Sequence, residues 1–468
     1  MESIIVPATT VIILAIAAGA SYRFFRRPAL RPSWPKIKLH DAYTQKVTLS
    51  LTKRRIPAGL DFGSLEDFSP VGEQKPVLDV PSFFASHGNE FSVYSIDWEQ
   101  EVVVLIRTVD GTDMKKWPFF RGAQMLNATE VLLIPIEQLQ AVVEAISDKV
   151  AHVQEVFVNM TARCGSTLLT RAVEASSAAQ AVSEPLVLSN IARKIVQFRR
   201  SHPPPPSQHH IGHVPVSLME EGEVVSLLRN VVSLLNYYLV TSDSAHRHII
   251  FYKLRTDVLL IGDVMSRAFP SAKTVFLYRD GLDCCESWFR LMCKHSIVYR
   301  AYKLATRLGL WRFKYRANKN NSIYVDDPMF SAVHLQHLTL NHIMCLWICV
   351  MQHAVELQKR EPGYFFHAVV YYTALARGKE KTVRMLMEKL GIEWKQENQE
   401  EDKTRIKNAF VADSQGESPG SPRGSGEKWN PRSSTWMGEW EREYFSNICI
   451  QAGTEITGPD FLLPGTMV

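Results

Sequence analysis

The sequence predicts an α/β protein: a three-layer sandwich with a central parallel sheet, preceded by a small β-rich accessory region and an N-terminal transmembrane helix. Three observations predict it. From residue 154 onward, short apolar runs rich in Val, Ile, Phe and Tyr alternate with helical patterns, the arrangement of a parallel sheet covered on both faces. Residues 61–150 instead alternate short β-like runs with turns. Ser3 to Tyr22 is a run of 20 residues without a charge, long enough to cross a bilayer.

The N-terminal run resembles a signal peptide in its small-residue stretch AGAS, but only Met1 and Glu2 precede it, and no basic residue does. Residues 1–25 are therefore expected to be a retained single-pass anchor. Arg23, Arg26, Arg27, Arg31, Lys36 and Lys38 follow with no acid before Asp41, so residues 26–60 read as a basic, proline-punctuated stalk. On the positive-inside rule these charges place the long C-terminal part in the cytoplasm. The net charge of +5 permits an anionic ligand and does not point to nucleic acid.

In the 61–150 region the runs FSVYSIDW and EVVVLIRTV are flanked by HGN and DGT turns, and the helical stretch IEQLQAVVEAISDKV closes it. No chemistry is legible there. The expected strands of the following domain (151–400) are QEVFVNM, HIIFYKL, AKTVFLY and FFHAVVYY, with helices over Val224 to Val240 and Ala332 to Arg360. Four consecutive prolines make 201–215 a loop. Residues 401–468 are expected to hold a mobile loop (413–434, low in apolar residues) and a final helix that returns to the domain.

Seven cysteines (164, 284, 285, 293, 345, 349 and 449) match no zinc or disulfide spacing and read as reduced, buried thiols. No metal is expected. His202, His209, His210 and His213 read as solvated loop residues, and His334, His337 and His342 as packing residues of a helix. Of the sequons at Asn127, Asn159 and Asn320, Asn159 lies in an expected strand and reads as buried.

Two stretches carry chemistry. In VFVNMTARCGSTLLTR (Val156 to Arg171) a strand enters a small, hydroxyl-rich turn that opens a helix. Unpaired N–H groups and the positive helix end make such a turn an anion site. Gly165 allows close backbone approach, Ser166 and Thr167 add hydroxyls, and Arg163 adds a fixed charge. The Walker spacing fails: Asn159 stands four residues before Arg163, and Ser166 follows Gly165 where lysine is needed. The second stretch is TVFLYRDGLDCCESWFR, in which Arg279 ends a strand and Ser287 lies two turns into the next helix.

Together the two stretches resemble the sulfotransferases that use 3′-phosphoadenosine 5′-phosphosulfate (PAPS), closer to their membrane-bound, carbohydrate-type branch. Ala162-Arg163-Cys164-Gly165-Ser166-Thr167 matches the family's loop Pro-Lys/Arg-Ser-Gly-Thr/Ser-Thr, with Ala for Pro and Cys for Ser. Arg279 and Ser287 match its Arg, seven residues, Ser motif, with Gly281 where Pro is common. VSEP (Val182 to Pro185), HAVVYYTALARGKEKTVRMLMEKLGI (367–392) and GEW (Gly438 to Trp440) resemble further family segments. The likeness spans about residues 154–460.

The resemblance implies a P-loop NTPase-like fold and transfer of a sulfuryl group from PAPS to a hydroxyl or amine of a carbohydrate, protein or small molecule. It implies that Arg163, Cys164, Gly165, Ser166 and Thr167 hold the 5′-phosphosulfate, and that Arg279 and Ser287 hold the 3′-phosphate. Gly438 lies near the cofactor in the same scheme. Lys253 is expected beside the transferred group, and Glu184 is the candidate general base, its pKa expected to move toward neutrality in a cleft. Family members with a membrane anchor imply a Golgi membrane and a lumenal domain, against the flanking charges. An atypical P-loop nucleotide kinase or NTPase, or a catalytically inactive membrane-anchored relative acting as a binding protein, stands as the alternative.

Overall fold

The computed structural model describes residues 34–50, 63–117, 119–201, 221–293, 296–307, 324, 338–360, 365–393, 398–411 and 436–468. The expected anchor, the loop histidines 202–213, His334, His337, Asn320 and the 413–434 loop lie outside them.

The chain opens with β1 (Tyr43–Leu49), β2 (Phe68–Pro76), α1 (Val80–His87), β3 (Ser92–Asp97), β4 (Val102–Thr108), α2 (Phe120–Asn127), β5 (Ala128–Pro135) and α3 (Leu139–Val150). The five strands form one antiparallel sheet in the order β2-β1-β5-β4-β3. The turn between β3 and β4 is set by Asp97, whose carboxylate accepts from the N–H of Glu99 and Gln100. Strand β4 is buried on both faces. Val102, Val104 and Ile106 enter one core cluster, and Val103 and Leu105 enter another.

Strand β1 corrects the expected stalk, because it lies inside residues 26–60. Its period-2 signal is hidden by polar residues at buried positions: Thr44 and Gln45 are both buried, and the Gln45 amide donates to the carbonyls of Val71 and Gly72.

The second half comprises β6 (Gln154–Met160), α4 (Ser166–Glu174), β7 (Gln180–Ser183), α5 (Leu186–Ser201), α6 (Glu221–Ser242), β8 (Ile249–Lys253), α7 (Gly262–Ala268), β9 (Lys273–Tyr278), α8 (Gly281–Cys293), α9 (Ser296–Arg307), α10 (Leu338–Arg360), β10 (Ala368–Tyr371), α11 (Tyr372–Gly378), α12 (Glu380–Lys389), α13 (Gln399–Val411), α14 (Glu439–Ala452) and β11 (Thr466–Met467). Its strands form a six-stranded, all-parallel sheet in the order β11-β10-β9-β6-β8-β7. Val156, Val158 and Met160 of β6 pack with α4, α12 and α13, while Phe157 faces the cluster built by α5 and α6. That alternation makes the three layers.

The chain runs from β6 outward to β7, returns through β8, and crosses to β9 on the other side of β6. The strand order therefore reverses at β6, and in open parallel sheets ligands sit beyond the carboxyl ends of the strands at such a point.

Residues from α1, β3, β4 and α3 share one core cluster with α5, α6 and β8. Packing is thus continuous across residue 150. Gly222–Ser242 is long and apolar enough to cross a membrane by length and composition, and 61% of its apolar window is buried. Its Leu227, Leu228, Val231, Leu234 and Leu235 lie in that shared cluster, which accounts for its apolar character. Helix α14 brings Phe445, Ile448 and Cys449 back into the core beside α8 and α10.

Candidate active site

The turn after β6 stands at the switch point. Gly165 has φ 84° and Arg163 has φ 62°, both left-handed. Glycine takes that conformation freely, whereas at Arg163 it costs about 1–3 kcal/mol and must be enforced by the surroundings. Gly165 is required for a second reason. A Cβ there would fall 2.6 Å from ring carbons of Tyr372, the first residue of α11.

The two motifs meet here. Arg163 Nε donates to Ser287 Oγ at 3.0 Å, across 124 residues of sequence. Arg279, at the end of β9, donates to Asp283 at 3.1 and 2.9 Å. Its guanidinium lies 4.4 Å from the centroid of the Tyr372 ring. Tyr372 therefore touches both the Gly165 turn and Arg279. Burial, together with Arg279, pushes the Arg163 pKa down against the pull of nearby thiols and Glu184. For Arg279 burial acts the same way, but Asp283, Tyr372 and Cys284 together outweigh it and the net shift is upward.

Glycine at 281, where proline was the alternative, has a structural reason. Its N–H donates to the Pro459 carbonyl at 2.7 Å, a bond that proline cannot make. A Cβ at 281 would also lie 2.7 Å from Phe445. Beside it Asp280 caps α8, accepting from the N–H of Leu282 and Asp283, and burial lifts its pKa to about 6.

Cys164 turns its side chain away from the open face of the turn. The thiol is fully buried in the cluster behind the turn, and burial pushes its pKa up to about 11. Its side chain serves packing. Thr161, at the start of the turn, is buried beside the thiols of Cys164 and Cys284.

A second group of side chains adjoins the turn. Lys253 ends β8 and pairs in register with Ser183 of β7. Its buried Nζ lies 3.1 Å from Thr167 Oγ1, 3.2 Å from Ser183 Oγ and 2.9 Å from Glu184 Oε1. Thus the lysine absent from the turn itself is delivered to its Thr167 hydroxyl by the neighbouring strand. Glu184 follows β7 with φ 57°, and its N–H donates to the Lys253 carbonyl at 2.8 Å. Burial alone would raise its pKa, but Lys253, Arg255 and Arg121 outweigh burial and hold it below the ordinary carboxylate value. This overturns the expected drift toward neutrality: a cleft raises a carboxylate only when cations do not surround it.

Gly438 caps α14, its N–H donating to Glu441. Its connection to the site runs through Glu286 on α8, which accepts from the N–H of Trp436 and Met437 one residue before Ser287. Among the described residues no group of three or more His, Cys, Asp or Glu could hold a metal ion. His342 is half-buried, and burial lowers its pKa. Asn159 is buried in β6, and the Asn127 amide donates to the Ala123 carbonyl.

Three residues at the site were not singled out from sequence. Tyr372 sits in the quoted run HAVVYY, where an aromatic pair ending a strand was the available signal. Phe119, whose ring centroid is 5.0 Å from Lys253 Nζ, and Arg121 come from the accessory region, where no motif marks them.

No family model and no curated protein matches the chain. Solved structures similar to it include sulfotransferase STF9 from Mycobacterium avium, with 12% identity and a TM-score of 0.31 over 58% of this chain and 71% of that one. A sulfotransferase from Alicyclobacillus acidocaldarius shows 15% identity and a TM-score of 0.28 over 56% and 96% of the two chains. Sulfotransferase STF1 from Mycobacterium tuberculosis H37Rv shows 14% identity and a TM-score of 0.28 over 58% and 83%. At TM-scores of 0.28–0.31 these similarities define neither activity nor acceptor.

Proposed function

We propose that the chain is a PAPS-dependent sulfotransferase, moving a sulfuryl group to a hydroxyl or amine, with residues 1–25 as its membrane anchor. The observation that carries this reading is the meeting of Arg163 and Ser287 beside Arg279 at the switch point. Two guanidiniums that oppose each other in a largely buried setting are stabilised by an anion between them. The left-handed turn and the helix end fit a phosphate-bearing ligand as well.

PAPS supplies the sulfuryl group and a phosphate leaving group. In this reading Arg163 and the N–H groups of the turn hold the 5′ end, while Arg279 and Ser287 hold the 3′-phosphate. Lys253, fixed by Thr167, Ser183 and Glu184, presents its ammonium to the side of the turn where charge develops. Glu184 is ionised at neutral pH and takes the acceptor proton once its contact with Lys253 opens.

Incubation with radiolabelled PAPS and a broad acceptor panel tests the activity; transfer to no acceptor would count against it. Glu184→Gln is expected to lower turnover about a hundredfold or more while leaving the affinity for adenosine 3′,5′-bisphosphate unchanged. Unchanged turnover would remove Glu184 from the proton transfer.

A further inference from the structure

We propose that the outer face of α9 (Ser296–Arg307) lies on an anionic bilayer surface, as a second membrane contact besides residues 1–25. This extends the membrane part of the reading above and does not depend on sulfuryl transfer.

The first observation is that α9 carries its apolar row on the side opposite to its contact with the rest of the domain. Tyr299 and Lys303, one turn apart, form the inward side. Tyr299 Oη donates to Glu441 Oε1 at 3.0 Å, and Lys303 Nζ pairs with the same oxygen at 2.5 Å. Glu441 is fully buried in the first turn of α14, so α9 is fastened to the domain through a buried polar contact. Ile297, Ala301 and Leu304 recur at spacings of four and three residues and form one helix face. All three are exposed, Ile297 to 73% and Leu304 to 60%. At about 100° of turn per residue this row stands roughly opposite to Tyr299 and Lys303. A helix of a soluble domain ordinarily turns such a row inward, and a row left in water marks an interaction surface.

The second observation is charge. No Asp or Glu occurs from Ser287 to Val325. Arg290, Arg300, Lys303 and Arg307 fall inside that stretch, and Arg300 is exposed next to the apolar row. Exposed aliphatic side chains flanked by basic ones on a short helix are the pattern of a helix lying in the headgroup plane. The aliphatic row enters the acyl boundary, and the cations meet lipid phosphates and carboxylates.

The same two features choose between occupants. A second copy would bring an equally basic face against this one, and like charges oppose that contact. A purely apolar partner gains nothing from the arginines. An anionic bilayer answers both the aliphatic row and the charge.

The test follows amide hydrogen exchange across residues 296–307 of the full chain, in nanodiscs of phosphatidylcholine alone or mixed with phosphatidylserine. Exchange in α9 is expected to be about tenfold slower in the mixed discs, and high salt should abolish the difference. Leu304→Glu is expected to return exchange to the phosphatidylcholine rate, and Arg300→Glu to remove about half of the effect. Exchange in β6 and β9 should stay the same in both variants, which shows that the fold is kept. Equal exchange in the two lipids, whether fast or slow, would overturn the inference. So would protection that grows with the number of chains per disc, which would identify a second copy as the occupant, or protection in the mixed discs that survives Leu304→Glu. A chain that does not enter the discs would remove the anchor reading instead, and preformed vesicles of the same two compositions then give the comparison.

Discussion

Lys253→Met is expected to lower turnover about a hundred- to a thousandfold and to destabilise the fold by about 3 kcal/mol. The side chain is 3% exposed and its ammonium has three polar partners within 3.2 Å. Methionine fills the stem's volume but leaves the Glu184 carboxylate without its closest counter-charge. Arg255 and Arg121 still act on that carboxylate, which keeps the stability loss at the lower end of the range for broken buried pairs. The double variant Lys253→Met/Glu184→Gln separates the two effects. It should recover most of the stability, since no buried charge is stranded, and none of the turnover. Urea midpoints and initial rates on the three variants decide it; full activity in Lys253→Met would exclude the ammonium from the transfer step.

Arg247→Ala should give the largest stability loss, about 3–5 kcal/mol by urea unfolding at pH 7. Arg247 binds the far end of α4. Its Nη1 donates to the carbonyls of Glu174, Ser176 and Ala179 at 3.0, 3.1 and 2.9 Å, and its Nη2 reaches Glu174 and Asp243 at 2.7 and 2.8 Å. Lys115 joins the same network from the accessory region. Burial alone would raise the Asp243 pKa, but Arg247 and Lys115 drive it well below the usual carboxylate range. A depressed folded pKa contributes stability above the unfolded value, and that stability is lost as pH falls toward the folded one. The gap between wild type and Arg247→Ala should therefore narrow as pH drops below about 4. A gap that stays constant to pH 3 would show that Asp243 is not the coupled group.

How legible this was in the sequence varies along the chain. QEVFVNM, HIIFYKL and AKTVFLY became β6, β8 and β9 because parallel strands buried on both faces are short continuous apolar runs. Strand β1 was read as stalk because Thr44 and Gln45 take buried positions. Strand β2 left little pattern, since it is a largely exposed edge strand with Pro70 and Pro76 in it.

At the site, Arg163, Arg279 and Ser287 stand in local motifs, Lys253 and Glu184 came with the resemblance those motifs carry, and the fold brings Arg163 to Ser287 and Lys253 to Glu184. The direction of the Glu184 pKa was not legible, because Arg121 and Arg255 are distant in sequence and their proximity follows from packing. The direction of the Cys164 side chain was not legible either. Its thiol faces the core, a matter of one side chain's direction that no spacing encodes.

The central claim is that one nucleotide with phosphates at both ends bridges the two motifs. Calorimetry with PAPS, adenosine 5′-phosphosulfate and ATP on wild type, Arg279→Ala and Arg163→Ala tests it most directly. A charge-assisted Arg–phosphate contact is worth about 2–3 kcal/mol. Wild type should prefer PAPS to ATP. Arg279→Ala should weaken PAPS about thirty- to a hundredfold and leave adenosine 5′-phosphosulfate, which has no 3′-phosphate, almost unchanged. Arg163→Ala should weaken both. Equal weakening of the two ligands by Arg279→Ala, or a wild-type preference for ATP, would contradict the account.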